Sequence, residues 1–396
     1  MANNNAKPQF SGEWVRLGDI CNVRSGGTPK RSVSEYWDQG TIPWVKIGDI
    51  SGKYIFTTEE CISEVGLNSS AAKLFQPGTL LFSIFASIGA VGILTVPAAT
   101  NQAIAGLEIT SKMIDRDYLF YFLKSSEMGA KQSGRGVAQN NINLSILRDM
   151  KVPVPSLAEQ SMIARKFERI DCQIDAANNQ LSSLETLVKS RFNELFGKVA
   201  ENNLHFPVIK LDDVCTSIVR GPFGSALKKE FFVPKGPGTY KVYEQKHAIQ
   251  KQADIGIYYI DGDRYESLNR FECHPGDILM SCSGTMGELY QLPPNCEPGV
   301  INQALCKFSL SDAIQVEYFL GCMNQIVDQL GAKGSGIKNV SSVKFIKAIE
   351  IPLPPITLQR DFVTFSVQVD KLRFDVQQQI DKLELLKNSL MQEYFG

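Results

Sequence analysis

Two stretches of the chain repeat their apolar residues at helical spacing. Between Leu157 and about Phe196 they fall at Ile163, Phe167, Ile170, Ile174, Ala177, Leu181, Leu184, Val188 and Leu195, alternating steps of four and three that give a heptad seam. The last forty residues show Phe362, Val369, Val376, Leu383 and Leu390 at seven-residue steps, with Phe365, Leu372 and Leu386 interleaved. Each stretch predicts a helix of roughly 60 Å. Before each helix the pattern changes to short strand-like runs (42–50, 79–83, 89–95) and a shorter helix over 117–129, a mixed α/β arrangement. Prolines at 153 and 155, and at 352, 354 and 355, are expected to stop the sheet and start each long helix. Two long helices in one chain should pack antiparallel about a pseudo-twofold axis, with the globular halves at opposite ends. The competing arrangement folds each helix back on its own domain. The apolar stripes are wider than a two-helix seam covers, because Leu187, Phe192 and Phe196 flank the first and Val363, Phe374 and Leu385 the second. Further partner helices are the expected cover.

The pattern is written twice. Asn101-Gln102-Ala103 recurs as Asn302-Gln303-Ala304, each after a Pro-Gly turn (Pro77-Gly78, Pro275-Gly276) that opens an apolar run. The stretch from Asp117-Tyr118-Leu119 to Gly134-Arg135-Gly136 matches Glu317-Tyr318-Phe319 to Gly334-Ser335-Gly336 at an offset of 200. KVPVPSLAEQ (151–160) answers EIPLPPITLQ (350–359), and RFNELFG answers LMQEYFG, both at an offset of 199. The expected organisation is a globular domain over 1–155, a helical spacer over 156–197, a second domain over 198–355 and a second spacer over 356–396.

Composition narrows the function classes. At 396 residues, 43% hydrophobic and 21% charged, the chain is long enough for two cores. Its polar first thirteen residues carry no signal-peptide pattern. The uncharged stretch 74–107 is broken by Gly89, Gly92 and Pro97 and reads as buried strands, not a membrane span. Nine cysteines without a C-x-x-C pair, and three histidines, give no metal-ligand clustering and suit reduced thiols in the cytoplasm. Cys273-His274 precedes a Pro-Gly turn and reads as packing, not as a thiol–imidazole pair.

Charge is balanced in total but not in placement. Residues 1–155 carry 15 basic and 13 acidic groups, and residues 201–355 carry 15 and 17. Four acid-free windows concentrate the cations: Arg24, Lys30 and Arg31; Lys131, Arg135 and Arg148 with Asn140, Asn141 and Asn143; Arg220, Lys228 and Lys229; and Lys333, Lys338, Lys344 and Lys347 with Asn339. Glycine-rich and duplicated, they suit a phosphate backbone, with main-chain N–H groups, cations and amide side chains at hand. Ordinary solvated loops are the bland alternative.

The Gly26–Pro29 loop, IPWVKIGDI (42–50), the Pro-Gly-led strand, Asn-Gln, and PVPSLAEQ running into a heptad helix together resemble the specificity subunit of type I restriction–modification systems. The resemblance covers essentially the whole chain, twice. It implies two target-recognition domains alternating with two helical spacers. Each domain would read half of a bipartite double-stranded DNA site. The helices would dock two modification subunits that methylate adenine, and restriction subunits would join to cleave. S-adenosylmethionine, ATP and magnesium would then reside on those partners, with no cofactor, metal or membrane contact expected here. The candidate DNA-binding set is Arg24, Thr28, Lys30, Arg31, Lys46, Lys131, Arg135, Asn140, Asn141, Arg220, Lys228, Lys229, Lys333, Lys338 and Asn339. The candidate partner-binding positions on the helices are Phe167, Ile174, Leu181, Val188, Phe362, Val369, Val376 and Leu383.

The second copy departs from this pattern. Gly221-Pro222-Phe223-Gly224 stands for the first loop, YKVYEQKHAI (240–249) for the Trp-containing strand, and Leu358 for the acid of the first spacer's opening turn. Two unlike readers imply an asymmetric target. The sequence contains no Asn/Asp-Pro-Pro-Tyr/Phe element of amino-methyltransferases, no phosphate-binding Gly-x-x-x-x-Gly-Lys-Ser/Thr loop and no dinucleotide fingerprint after a strand. No catalytic residue is therefore expected. A structural adaptor without sequence readout, and a divergent DNA-modifying enzyme, are the alternatives.

Overall fold

The computed structural model of the chain describes residues 12–85, 89–132, 142–332 and 342–396. They fall into two compact units, Met1–Asn179 with Gln377–Gly396, and Gln180–Val376. Strands of the first are β1 (Glu13–Arg16), β2 (Cys21–Ser25), β3 (Ile42–Val45), β4 (Tyr54–Ile55), β5 (Glu60–Ile62), β6 (Leu74–Phe75), β7 (Leu80–Ser83), β8 (Val91–Leu94), β9 (Ala98–Thr100), β10 (Ile104–Ile109) and β11 (Lys151–Val154). Those of the second are β12 (Val208–Lys210), β13 (Cys215–Arg220), β14 (Tyr240–Tyr243), β15 (Tyr259–Ile260), β16 (Glu272–Cys273), β17 (Ile278–Ser281), β18 (Leu289–Gln291), β19 (Gly299–Ile301), β20 (Leu305–Leu310) and β21 (Glu350–Pro352). Four long helices accompany them: α1 (Arg116–Gln132), α2 (Leu157–Phe196), α3 (Val316–Ala332) and α4 (Ile356–Phe395).

The two units share their sheet orders, except that the first adds an edge strand, β4, with no counterpart among the described residues of the second. The first has β2-β10-β7-β8-β4, β5-β3-β9-β6 and the ladder β1-β11; the second has β13-β20-β17-β18, β15-β14-β19-β16 and β12-β21. Even the strand whose sequence departs most is kept. β14 runs parallel to β19 as β3 runs parallel to β9, because a buried strand needs apolar residues more than any one sequence. The uncharged stretch 74–107 forms β6 to β10, as expected. Among the described residues no helix is long and apolar enough to cross a membrane.

The duplicated landmarks have structural causes. Gly78 and Gly276 adopt φ of +89°, the left-handed conformation that a Pro-Gly turn requires and glycine accommodates. Asn101 and Asn302 each accept a hydrogen bond at Oδ1 from the main-chain N–H two residues on, at 3.0 Å. Gln160 and Gln359, both fully buried, secure the proline-rich connection. Their Oε1 atoms accept from Asp115 N (2.7 Å) and Gln315 N (2.8 Å), and their Nε2 atoms donate to the carbonyls of Pro155 and Pro354. Tyr118 and Tyr318 donate to the carbonyls of Pro153 and Pro352.

Two local expectations need correction. The run 42–50 leaves the sheet after Val45, because the Asp49 carboxylate accepts from Lys46 N at 2.7 Å and closes a 3-10 turn. Pro153 and Pro352 do not stop the sheet. Each sits inside a two-stranded ladder, opposite Trp14 and Val208, the edge position that tolerates a missing donor.

In each unit the long helices pack antiparallel. In the first, Phe167 stacks on Phe395, Lys166 donates to the Tyr394 hydroxyl and Lys387 pairs with Asp171. In the second, Phe192 meets Phe362 and Arg373 pairs with Glu185. Each helix also covers sheet: Phe167 and Met391 belong to the first core, and Phe192, Phe196 and Phe362 to the second. Within each unit the two helices therefore pair with each other and also cover sheet, and neither helix is confined to its own domain.

This packing corrects the partner-binding assignment. Phe167, Phe362, Val369 and Val376 are buried within the chain, and Ile174, Leu181, Val188 and Leu383 are half-buried. Phe192 and Phe196, expected to await a partner, lie against Tyr318. The domain surface supplies the third wall that a two-helix seam lacks. Leu187, Phe374 and Leu385 remain exposed, at 47, 63 and 71%.

Candidate nucleic-acid interface

The glycine-rich loops are built around the Asn-Gln turn. Gly26 N donates to Ile104 O and Gly27 N to Thr100 O, while Trp44 Nε1 donates to Gly27 O at 3.1 Å. A Cβ on Gly26 would lie 2.0 Å from Thr100 Oγ1, and one on Gly221 would lie 1.9 Å from the Asn302 carbonyl oxygen. In the second copy Gly221 N donates to Leu305 O. Glycine is required here for backbone against backbone. These N–H groups are spent inside the protein, contrary to the expectation that they approach an anion.

The acid-free windows also change in three dimensions, because acids arrive from later strands. Glu108 of β10 pairs with Arg24 at 2.8 Å; Glu60 of β5 pairs with Arg31 at 2.6 Å and with Lys46 at 2.9 Å; Glu59 takes Lys46 at 2.6 Å. Hydrogen bonds from Arg31 and then Lys46 hold the Glu60 carboxyl below its usual range. Those to Glu59 and Glu60 raise the Lys46 ammonium. The Arg31 guanidinium also lies 3.8 Å from the Trp37 ring centroid and 4.9 Å from that of Trp44. Arg31 and Lys46 thus share Glu60 in one ion-paired cluster, Arg24 is paired separately with Glu108, and Lys30 stays exposed. Asn143 caps a short helix through Ile146 N, and Arg148 donates to Val23 O.

The second copy assembles other chemistry on the same frame. Arg220 donates from Nε to the Gln303 carbonyl, and its guanidinium stands 5.0 Å from the Phe223 ring. Phe223 is 67% exposed. Lys228 lies 3.5 Å from Glu230, Lys229 is exposed, and Lys347 pairs with Asp212. Glu244 stands where the first copy has Lys46, and His247 replaces Asp49 as its cap. The His247 Nδ1 accepts from Glu244 N at 2.8 Å while Nε2 faces the Ile255 carbonyl at 2.7 Å. Burial lowers the pKa of this imidazole and favours the neutral ring that such bonding requires. Arg135, Asn140, Asn141, Lys333, Lys338 and Asn339 lie outside the described residues, as does the side chain of Lys131.

β14 also carries a buried charge. Lys241, 1% exposed, is 3.0 Å from Glu297, which also pairs with Lys235 and accepts from Tyr259. Burial would raise the Glu297 carboxyl, but these donors outweigh it and hold the pKa at about 2. A depressed acid stabilises the fold above its unfolded pKa of about 4.3, and that contribution is lost as pH falls through the folded value. Acid titration of the second unit's stability should show a component fading from about pH 4.3 toward 2. Glu297→Gln should remove it, and an identical acid limb in that variant would refute the assignment.

Two kinds of residue escaped the sequence reading. Gln102 and Gln303 are exposed at the tips of the duplicated turns, where they had served only as landmarks. The Thr28 hydroxyl donates to Gln102 Oε1. Counting from Gly26 and Gly221, Phe223 occupies the place of Thr28, and its signal was an aromatic in a Gly-Pro loop.

A family model described as type I restriction modification DNA specificity domain matches residues 12–186 and again 204–385. The MjaIX specificity subunit of a type I restriction enzyme from Methanocaldococcus jannaschii is 30% identical over 46% of this chain and 43% of its own length. The EcoR124I/EcoR124II specificity subunit of Escherichia coli is 29% identical over 40% of this chain and 41% of its own. Both matches thus span under half of those relatives. The MjaVIII specificity subunit, also from M. jannaschii, is 29% identical over 96% of this chain and 91% of its length. In fold, a chain solved in work on complex assembly and conformational transition of the type I R-M system matches with a TM-score of 0.64, 16% identity and coverage of 97% and 98%. The S subunit of such a system from M. genitalium matches at 0.51, 15%, and 100% and 98%.

Proposed function

The chain belongs to the type I restriction modification DNA specificity family and carries its domain twice, and from that premise we propose that it is the non-catalytic reader of a multisubunit DNA methyltransferase and endonuclease. Each globular domain, taken as 1–155 and 198–355, reads one half of an asymmetric bipartite duplex site. The helical spacers fix the gap and dock two modification subunits, with exposed Leu187, Phe374 and Leu385 as docking positions in place of the buried seam. Restriction subunits complete the assembly in the cytoplasm. S-adenosylmethionine, ATP and magnesium belong to those partners.

One observation carries this reading: matching sheet orders, apart from the extra edge strand β4, present unlike loops at the same place. Thr28 is bonded to Gln102 in one and, in the other, Phe223 lies against Arg220, which donates to the Gln303 carbonyl. A twofold frame with two different readers suits a split, asymmetric target. Methylome sequencing of a host expressing the chain with its modification partner should return two short, different motifs with a fixed gap. Four residues inserted near Asn178-Asn179, in α2, add about 6 Å of helix, close to two base-pair steps of 3.4 Å. The gap should widen with the motifs unchanged, and an unaltered gap would reject the spacers as rulers.

A further inference from the structure

Glutamine recurs at the tip of both duplicated turns while its surroundings diverge. Asn101 and Asn302 are explained by the turn itself, and the following alanines lead into β10 and β20 with their carbonyls accepting from Ile84 N and Cys282 N. Gln102 and Gln303 are exposed, and no core demands them. Around them the loops differ in the side chain at the matching place: a threonine hydroxyl in one copy, an exposed phenyl ring against Arg220 in the other. A side chain kept where its neighbours vary meets something that both half-sites share. Every duplex shares its sugar–phosphate backbone, whereas two unlike half-sites do not share their base edges. In the first copy the Thr28 hydroxyl donates to Gln102 Oε1, and the amide's Nε2 is the group with donors to offer a phosphate oxygen.

Resting on the reading above, we propose that Gln102 and Gln303 are paired, uncharged phosphate clamps that set the register of each domain on the duplex, and that Thr28 and Phe223 carry the half-site choice. A neutral donor contributes hydrogen bonding without counterion release, which gives the clamp a signature distinct from that of lysine or arginine.

The test uses the full chain with its co-expressed modification subunits, on a randomised duplex pool and on the selected site across a salt series. Gln102→Ala and Gln303→Ala should each weaken binding about three- to tenfold, leave the selected motif as it was and leave the salt slope unchanged. Gln303→Glu should weaken it further, by setting a carboxylate against phosphate. Phe223→Ala should alter base preference in one half-site, and Thr28→Val in the other. Since all four side chains are exposed, thermal unfolding should not move. A changed motif in either Gln→Ala variant would make glutamine a base reader and overturn the inference. So would unchanged affinity in both. Wild-type complex that selects no motif would instead refute the reading beneath, a failure visible before any variant is made.

Discussion

Phe167→Ala should lower the stability of the first unit by about 3–5 kcal/mol in the free chain, before any partner is added. The side chain is fully buried. It stacks on Tyr121 at 5.0 Å and on Phe395 at 5.9 Å, within a core that also takes in Tyr118 and Met391. Removing the ring leaves a cavity where an aromatic cluster met, and the surrounding helices relax only in part. Heptad spacing alone marks the same residue as a partner anchor, and that role predicts the opposite result: normal stability in the free chain and lost affinity for modification subunits. Chemical denaturation followed by a probe in each unit separates the two. A first-unit transition within 1 kcal/mol of wild type would restore the docking role. Leu385→Ala should do the reverse, because a side chain 71% exposed contributes little to the fold.

The difference between those two residues shows what the sequence made legible. Periodicity identifies a helix and its apolar stripe, and both long helices lie where the heptads place them. It does not say which surface covers the stripe, since that depends on contacts such as Phe167 with Phe395, 228 residues apart. The repeat made the common frame readable, because Pro-Gly, Asn-Gln and Pro-x-Pro each answer a local demand of the backbone. Charge was read less well. Arg24 and Arg31 lie in windows without acids, yet Glu108 reaches the first from the neighbouring strand and Glu60 of β5 reaches the second in its loop, and strand order is not written in spacing. β14 keeps its place without keeping its sequence for a related reason: burial between neighbouring strands asks for apolar side chains at the paired positions but not for particular ones, so Trp44 and Val45 can give way to Val242 and Tyr243.

The same divergence under a common frame gives the second large effect, at Gly321. This glycine stands at the repeat position of Tyr121. A Cβ placed on it would lie 2.2 Å from the ring of Phe192, which arrives from the end of α2 and stacks on Tyr318 at 5.7 Å. In the first unit the incoming residue at the matching position is Met391, and the aromatic ring belongs to Tyr121 instead. The bulk has moved from the domain helix to the incoming helix end. Gly321→Tyr should therefore destabilise the second unit by about 3 kcal/mol through overpacking, even though removing a helical glycine gains up to about 1 kcal/mol. Phe192→Met in the same chain should recover most of the loss, by replacing the ring that the new side chain would meet with a slimmer, flexible one. In a double-mutant cycle the two changes should couple by more than 1 kcal/mol, and simple additivity would sink the argument. A strong coupling means that each helix end is matched in shape to its own domain. A duplicated frame would otherwise let either helix end seat on either domain, and the exchange of tyrosine for glycine against methionine for phenylalanine discriminates between them by steric fit.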